Sequence, residues 1–354
     1  MSVDLPTGVD PDSGDVQGDA VKANVTVTFH RAKTCHIKAA KYCGQLVVRQ
    51  IGIPHEFENY AGPGDVSLAV KPRSSQSHKG DFGRLLIVGG SSVYSGAPTL
   101  VALGALRTGV DLAYIAAPER TAKAISSMSP DLITLKLEGE CLAPNHLPTL
   151  EPYIKAADAV AVGPGLGLAT ETKKAVKMII ASVEKLEKPL LLDADGLKAF
   201  SEFQKPFKVP AILTPHVGEY SILTGEKLPD DLIGKISHIS RTATRLDAII
   251  LVKGATDIIS DGKRHKLNFT GNPGMTVGGT GDVLSGIVAA LLAQHVNAFY
   301  AACAAAFVNG AAGDFVAQEK GYHMTASDLI PWIPRILDYP MSHLQVHRPF
   351  ARPS

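Results

Sequence analysis

Six short apolar runs, each a candidate strand, alternate with helical stretches along the middle of the chain, and this alternation constrains the fold more than any other feature. The runs cover residues 85–88, 112–115, 159–162, 190–192, 211–213 and 249–252. Strands that are apolar at every position are buried on both faces, which is typical of a mostly parallel sheet between layers of helices. Helices are predicted between the runs, for example over residues 97–108 and 170–184, and a hairpin is predicted over 256–268. The sequence therefore predicts an α/β fold.

The first 60 residues follow a different pattern. They contain two candidate strands, 25–29 and 46–48, separated by turns that are rich in glycine and proline. Such a segment has too few helical positions to bury a large core of its own. We therefore predict three parts: an incomplete α/β segment over 1–60, a linker over 61–67 and one large domain over 68–345.

Composition and charge restrict the classes of function. Of the 354 residues, 45% are hydrophobic and 19% charged, so the chain can bury a sizeable core. The 35 Lys and Arg residues balance 34 Asp and Glu residues, which predicts neither a nucleic-acid partner nor an anionic membrane partner. The chain starts without the pattern of a signal peptide, and the apolar stretch 298–308 is too short to span a bilayer. The four cysteines have no CxxC spacing, so we expect reduced thiols in a cytoplasmic protein.

A glycine-rich segment, residues 271–282, carries the strongest functional signal. Its sequence is Gly-Asn-Pro-Gly-Met-Thr-Val-Gly-Gly-Thr-Gly-Asp, and apolar residues follow it with a helical period up to Leu292. The start of a buried helix presents free backbone N–H groups and the positive end of the helix dipole, and glycines let a phosphate approach them. Asp282 lies where a hydroxyl must lose its proton before it attacks a phosphoryl group. Asp282 as a plain helix cap is the alternative, but five glycines in twelve residues do not suit a plain cap.

Four other loops follow candidate strands. Lys253-Gly-Ala-Thr-Asp257 can seat the phosphate or ribose of a nucleotide, or it can be the entry to the hairpin. In the loop 214–219, His216 and Glu219 can face one cleft, where Glu219 can hold a Mg²⁺-bound water. The loops 89–97 and 163–167 can expose backbone to a substrate, or they can be tight turns between strand and helix. In open α/β sheets such loops meet beyond the carboxyl ends of the strands, where ligands bind.

Taken in order, these segments resemble one known family. The segments are 78–83 (His-Lys-Gly-Asp-Phe-Gly), 89–97, 163–167, 214–219, 253–256 and 272–282, and together they resemble the NAD(P)H-hydrate dehydratases of the ribokinase-like superfamily. The resemblance implies a three-layer α/β/α sandwich. It also implies dehydration of the S epimer of NAD(P)H hydrate, with ADP as phosphoryl donor and AMP and phosphate as products; ATP is the donor in eukaryotic members. Hydroxide is a poor leaving group, so phosphorylation of the hydroxyl explains why a nucleotide is needed.

The resemblance further implies roles for individual residues. Asp282 would be the base towards the substrate hydroxyl, and the catalytic set would be Asp282, Gly279, Thr280 and Gly281. The nucleotide would be bound by Lys253, Gly254, Ala255, Thr256, Asp257 and Gly281. The hydrated cofactor would contact Ala97, Gly165, Gly167, His216 and Asp282. Mg²⁺ is implied by the phosphoryl chemistry, and members of the family often form homotetramers, so a homo-oligomer is expected.

The amino-terminal segment resembles the end of a second domain, NAD(P)H-hydrate epimerase. Asp4-Leu-Pro-Thr-Gly-Val-Asp10 stands in place of the typical Asp-x-Pro-Ser-Gly-Val-Asp. The resemblance implies a substrate contact for Asp4 and a K⁺ contact for Thr7, where threonine replaces serine. More than a hundred residues that normally precede this point are absent from the sequence. We therefore expect no epimerase activity from this chain, K⁺ binding only in a complete epimerase, and a separate epimerase chain as a possible partner.

Three alternative functions compete with hydrate dehydration. A ribokinase-like kinase acting on a vitamin precursor alcohol would share the glycine loop and the base, but not the segment 78–97. A non-catalytic nucleotide-binding protein would be expected to lose Asp282 or its neighbouring glycines, and both are present. A nucleotide-binding oxidoreductase would need a dinucleotide fingerprint, and the spacing of residues 89–97 does not match one.

Overall fold

The computed structural model describes residues 1–70 and 73–346 of the chain. These residues divide between Asn59 and Tyr60 into two compact units, which are described separately below.

The smaller unit contains a three-stranded parallel sheet. Its strands lie in the order β1 (Ser2–Val3), β2 (Val25–Phe29) and β3 (Gln45–Arg49). Its helices are α1 (Thr34–Lys38), α2 (Ala40–Cys43) and a 3₁₀ helix over His55–Asn59. Both predicted strands are confirmed. The fully buried apolar cluster contains only Val9, Cys35 and Ala39, so the core is small, as the sequence predicts.

The larger unit is built on one nine-stranded sheet. The strand order is β12-β11-β10-β9-β8-β7-β4-β5-β6. All pairs from β10 to β6 are parallel, and the hairpin of β11 and β12 adds an antiparallel edge. The strands are β4 (Arg84–Val88), β5 (Leu112–Pro118), β6 (Ile133–Leu137), β7 (Ala159–Val162), β8 (Leu190–Leu192), β9 (Ala211–Leu213), β10 (Ile249–Val252), β11 (Asp257–Ser260) and β12 (His265–Asn268). All six predicted apolar strands and the predicted hairpin are confirmed.

Helices cover both faces of this sheet. They are α3 (Pro63–Ala69), α4 (Gly96–Thr108), α5 (Glu119–Ser126), α6 (Leu147–Ala156), α7 (Thr170–Lys185), α8 (Ala194–Phe200), α9 (Val217–Thr224), α10 (Leu232–Leu246), α11 (Thr280–Ala293), α12 (Ala298–Lys320), α13 (Ala326–Leu329) and α14 (Ile333–Asp338). Short 3₁₀ helices lie at Pro144–His146, Pro273–Thr276, Ile330–Trp332 and Pro340–Gln345.

Successive residues of β4 belong to opposite cores. Leu85 and Ile87 join the cluster that contains α4, α11 and α12, whereas Leu86 and Val88 join the cluster that contains α7, α8 and α10. Side chains alternate between the faces of a strand, so a strand that is apolar at every position feeds two cores at once. This arrangement is the predicted three-layer α/β/α sandwich.

The linker predicted over residues 61–67 is instead part of the larger unit and mostly helical. These residues run into α3, where Val66 is fully buried in the core of the larger unit. The Gly62 N–H donates to Asp65 at 2.9 Å, and Asp65 pairs with Lys266 at 2.6 Å. Pro63 stands in the first turn of the helix, where the missing N–H has no intrahelical partner to lose. The glycine and proline that suggested a linker are therefore signals of a helix start.

The predicted length of the most apolar helix is also wrong. The helix α12 continues beyond residue 308 to Lys320, so its 23 residues are long and apolar enough to cross a membrane by length and composition. Inside this fold, however, 94% of its most apolar window is buried. Burial of that extent is what a central core helix requires. Each of the four cysteines is a free thiol, as expected.

Candidate active site

The loops that follow β4 and β7 contact each other. The Gly90 N–H donates to the carbonyl oxygen of Pro164 at 2.8 Å. A methyl group built on Gly165 would lie 3.4 Å from the Cβ of Ala97, which is in the first turn of α4. Ala97 and Gly165, two residues for which the family resemblance implies contact with the hydrated cofactor, therefore lie side by side.

The loop after β8 joins this wall. Gly163 has φ 135°, and a Cβ there would lie 1.8 Å from the carbonyl oxygen of Asp193, so no larger residue fits. The Gly167 N–H donates to the Asp195 carboxylate at 2.9 Å. The loops after three adjacent strands thus form one continuous surface at the carboxyl edge of the sheet.

A buried ion pair occupies the centre of that edge. Lys253, directly after β10, places its Nζ 2.9 Å from Asp193 Oδ1 and 4.0 Å from Glu219 Oε2. The second oxygen of Asp193 accepts a hydrogen bond from the Ser285 hydroxyl on α11 at 2.7 Å. Only 3% of the Asp193 side chain and 19% of the Lys253 side chain are exposed. Asp282 also interacts electrostatically with Lys253, so three carboxylates share this one ammonium group.

Asp282 lies in the first turn of α11, beside this pair. Burial, followed by the negative charge of Asp193, raises its pKa to about 7; Lys253 opposes the shift and Glu219 adds to it. Burial alone would lower the pKa of Lys253, but the surrounding carboxylates outweigh it and the net shift is upward. A carboxyl group with a pKa near neutrality can take up and release a proton at physiological pH, which suits a general base.

The glycine loop before α11 is folded so that its backbone remains accessible. Gly279, the cap of the helix, has a left-handed φ of 97°, and no heavy atom lies within 4 Å of a Cβ built on Gly278. The Thr280 hydroxyl donates to the carbonyl oxygen of Met275 at 2.9 Å, so that side chain holds the loop together. A Cβ built on Gly281 would lie 3.3 Å from Lys253 Nζ. The predicted catalytic set and Lys253 are therefore neighbours.

The segment predicted to bind the nucleotide forms a tight turn. The Gly254 N–H donates to Asp257 Oδ1 at 3.0 Å, and the Asn268 amide donates to Asp257 Oδ2 at 2.9 Å. Burial raises the pKa of Asp257 to about 6, against the lowering effect of these hydrogen bonds. Asp257 therefore shapes the turn, while Gly254 and Ala255 are exposed and Thr256 is half-buried.

His216 and Glu219 cap α9 reciprocally. The His216 Nδ1 accepts from the N–H groups of Gly218 and Glu219 at 3.0 and 3.2 Å, and Glu219 Oε2 accepts from the His216 N–H at 3.1 Å. The Lys253 N–H donates to Pro215 O at 2.8 Å, which fixes this turn against the nucleotide segment. Glu219 Oε2 therefore lies 4.0 Å from Lys253 Nζ, and His216 Nε2 lies 3.6 Å from Glu219 Oε1.

Sequence reasoning missed Asp193 and Ser285. Asp193 follows directly after the apolar strand β8, and a lone acidic residue at that position is a signal that can be read from sequence. Ser285 is a single hydroxyl in an apolar helix, and its role is visible only once α11 is packed against β8.

In the smaller unit, Asp4 is already paired. Its carboxylate accepts from the Lys33 ammonium and, at 2.8 Å, from the Thr28 hydroxyl. The Lys33 hydrogen bond, opposed by burial, holds the pKa of Asp4 below its usual value. Thr7 is exposed.

The nine-stranded sandwich is ribokinase-like, and its glycine loop and carboxylates lie at the edge where such folds bind ligands. Residues 85–335 match the model of the NAD(P)H-hydrate dehydratase family, and residues 1–35 match that of the YjeF-related protein N-terminus. The chain belongs to the NAD(P)H-hydrate dehydratase family.

Individual relatives agree with this assignment. The chain is 48% identical over 339 residues to the bifunctional NAD(P)H-hydrate repair enzyme Nnr of Pyrobaculum aerophilum, which covers 95% of this chain and 67% of that protein. It is 39% identical to the ADP-dependent (S)-NAD(P)H-hydrate dehydratase of Cenarchaeum symbiosum, over 78% of this chain and 96% of that one. The solved ADP/ATP-dependent NAD(P)H-hydrate dehydratase from Bacillus subtilis, co-crystallized with ATP/Mg²⁺, is 27% identical with a TM-score of 0.68, over 79% and 97%. The chain spans about two thirds of the length of the bifunctional relatives it matches.

Proposed function

We propose that this chain catalyses the ADP-dependent dehydration of (S)-NAD(P)H hydrate to NAD(P)H, with release of AMP and phosphate. The observation that carries the proposal is the carboxyl group of Asp282, half-buried beside Lys253 at the glycine-rich start of α11. Membership of the family supports the reaction class, and the Cenarchaeum symbiosum relative, which matches over nearly its whole length, is named for this activity.

Asp282 would act on the hydroxyl of the hydrate. The ionised carboxylate takes the hydroxyl proton as the oxygen attacks the terminal phosphoryl group of ADP, and the bond to the AMP oxygen breaks. Phosphate then leaves the ring carbon, assisted by the ring nitrogen, and loss of a ring proton restores the double bond. The net reaction removes water from the hydrate and consumes the ADP anhydride. A pKa of about 7 leaves a large fraction of Asp282 ionised at neutral pH.

Backbone and ammonium groups would stabilise the phosphoryl group in transit. The N–H groups at the start of α11 have no intrahelical partners. Gly279, the helix cap, has a left-handed φ and directs these groups towards the glycine loop. Lys253 supplies a positive charge that Asp193 holds in place, and Ser285 in turn orients Asp193. The turn from Gly254 to Thr256 would carry the rest of the nucleotide, and the wall of Ala97 and Gly165 would face the hydrated ring.

Mg²⁺ fits the donor set of this site. Asp193, Glu219 and Asp282 supply only oxygen ligands and outnumber the one ammonium group, so a bound nucleotide requires further positive charge here. Glu219 is the carboxylate that we propose holds the ion through water. When bound, Mg²⁺ would neutralise charge on the nucleotide phosphates.

A direct absorbance assay tests this function. The purified chain is incubated with NADH hydrate and either ADP or ATP, and the absorbance of reduced nicotinamide is followed; we expect it to rise only with nucleotide. A ribokinase-like kinase would instead accumulate a stable phosphorylated product, which mass spectrometry detects. A non-catalytic nucleotide-binding protein would bind ADP in calorimetry without forming either product. Either of the last two results would contradict the proposal.

Three finer points remain proposals from the family resemblance. They are a homotetramer, a cytoplasmic location and the binding of K⁺ near Asp4 and Thr7 when a complete epimerase domain is present. Light scattering coupled to size exclusion tests the first, and a monomer at micromolar concentration would contradict it.

A further inference from the structure

Three potential metal ligands converge within the smaller unit. His30 Nε2 lies 3.0 Å from Glu58 Oε1, and His55 Nδ1 lies 3.3 Å from the same oxygen. One ligand atom from each residue lies within 4.8 Å of the other two. Within residues 1–70 and 73–346, this is the one group of three or more histidine, cysteine or acidic side chains whose ligand atoms all lie within 4.8 Å of one another.

The backbone places these ligands without strain at His55 and Glu58. Both belong to the 3₁₀ helix His55–Asn59, and positions three apart in a 3₁₀ helix lie on the same side. His30 follows β2 in the left-handed region, with φ 65°, and its N–H donates to Arg49 O at 2.8 Å. The ring of His30 stacks on that of His55, with 5.6 Å between centroids. The end of β2 and the 3₁₀ helix therefore direct the three side chains towards one point.

The candidate ligand nitrogens are those that face Glu58, Nε2 of His30 and Nδ1 of His55. The Nδ1 of His30 is buried and has no hydrogen-bond partner, so the ring is held by the contact of its Nε2 with Glu58 and by stacking on His55. The Nε2 of His55 lies 3.1 Å from the side-chain amide of Gln50. The amide nitrogen of Gln50 faces this Nε2. After a 180° rotation of the amide, its oxygen accepts the Nε2 proton, which leaves Nδ1 of His55 free to coordinate.

The types of ligand select the class of ion, and the spacing is compatible with it. Bonds of about 2.0–2.1 Å in a tetrahedral site separate neighbouring ligand atoms by roughly 3.3 Å, close to the two distances measured here. Two imidazoles and a carboxylate are a zinc-type ligand set, whereas Mg²⁺ and Ca²⁺ prefer oxygen ligands alone. We propose that His30, His55 and Glu58 bind one divalent transition-metal ion, with zinc as the best match and water as the fourth ligand.

Arg31 offers a second test of the proposal, because its guanidinium competes with a metal ion for the Glu58 carboxylate. Its guanidinium donates to both oxygens of Glu58, at 2.7 and 2.6 Å. The Arg31 side chain is 60% exposed, so it can move into solvent when an ion binds. Removal of this competing cation should tighten metal binding, a gain that misfolding cannot produce.

Equilibrium dialysis of the full chain, without an affinity tag, against ZnCl₂ tests the site. We expect one saturable equivalent, and CoCl₂ in its place should give the visible absorption of a four-coordinate Co²⁺ ion. His30→Gln and His55→Gln should each weaken binding by at least about tenfold, whereas His323→Gln, which changes an exposed histidine outside the cluster, should have no effect. Arg31→Ala should tighten binding several-fold.

Two results would overturn the site. One is the absence of a saturable equivalent, or an equivalent that survives both His30→Gln and His55→Gln. The other is an Arg31→Ala variant that binds zinc no more tightly than the unaltered chain. Neither result bears on hydrate dehydration, because none of the proposed active-site residues belongs to this cluster.

Discussion

Replacing Asp282 with asparagine should abolish catalysis and at the same time stabilise the folded protein at neutral pH. The substitution keeps the shape of the side chain but removes its ability to take a proton. It also removes a charge that the fold holds unfavourably, because burial and the charge of Asp193 raise the pKa of Asp282 from 3.8 to about 7. The two effects have opposite signs and arise from one cause.

The size of the stability gain follows from that pKa. A carboxyl group whose pKa is higher in the folded protein favours folding below its unfolded value of 3.8 and loses that contribution as pH rises to about 7. At about 1.4 kcal/mol for each pH unit, the ionised group costs the folded state at most about 4 kcal/mol at pH 7 and less than about 1 kcal/mol at pH 4. Asp282→Asn should recover most of this difference at pH 7 and little of it at pH 4.

Urea unfolding of both proteins at pH 4 and pH 7 measures the gain, and the dehydration assay measures the loss. Removal of a general base lowers turnover by about 10²- to 10⁴-fold, while ADP binding should change little. In the unaltered chain, kcat should fall as pH drops below about 7, because Asp282 becomes protonated. A variant that is less stable at pH 7, or that keeps ordinary activity, would refute the role assigned to Asp282.

Three other substitutions test the surroundings of this base. Ser285→Ala leaves the buried Asp193 without one hydrogen bond and should lower the free energy of unfolding by about 1–3 kcal/mol, measured in urea. Lys253→Gln leaves Asp193 and Glu219 without their cation, so it should weaken ADP binding by at least about tenfold in calorimetry; unchanged affinity would contradict its place in the nucleotide site. Gly163→Ala forces a Cβ to 1.8 Å from a carbonyl oxygen at φ 135° and should lower the thermal unfolding midpoint, whereas Gly139→Ala, with φ 88° and open space, should have a smaller effect.

The central strands could be predicted because they are buried on both faces and are therefore apolar at every position. The strands β7, β8, β9 and β10 feed both cores, so each is a continuous apolar run. The edge strand β6 was not predictable in this way, because most of its residues are partly exposed and Lys136 interrupts its apolar pattern. A strand with one solvent-exposed face carries polar residues on that face, so it contains no continuous apolar run.

The glycine loop and Asp282 could be predicted for a similar reason: their function depends on residues that are adjacent in sequence. Asp193 could not be assigned a role so readily. Its partners, Lys253 and Ser285, are 60 and 92 residues further along the chain, and only the packing of α11 against β8 brings them together. Likewise, Pro63 gives the same local signal for a linker and for a helix start, and only the burial of Val66 distinguishes them.

The balance of products from a single reaction tests the account most directly. The chain is supplied with (S)-NADH hydrate and a limiting amount of ADP, and reduced nicotinamide, AMP and inorganic phosphate are quantified together. The account predicts one molecule of AMP and one of phosphate for each NADH formed, and formation of all three about 10²- to 10⁴-fold more slowly with Asp282→Asn. Formation of AMP with a stable phosphorylated dinucleotide, or of NADH without consumption of ADP, would contradict it.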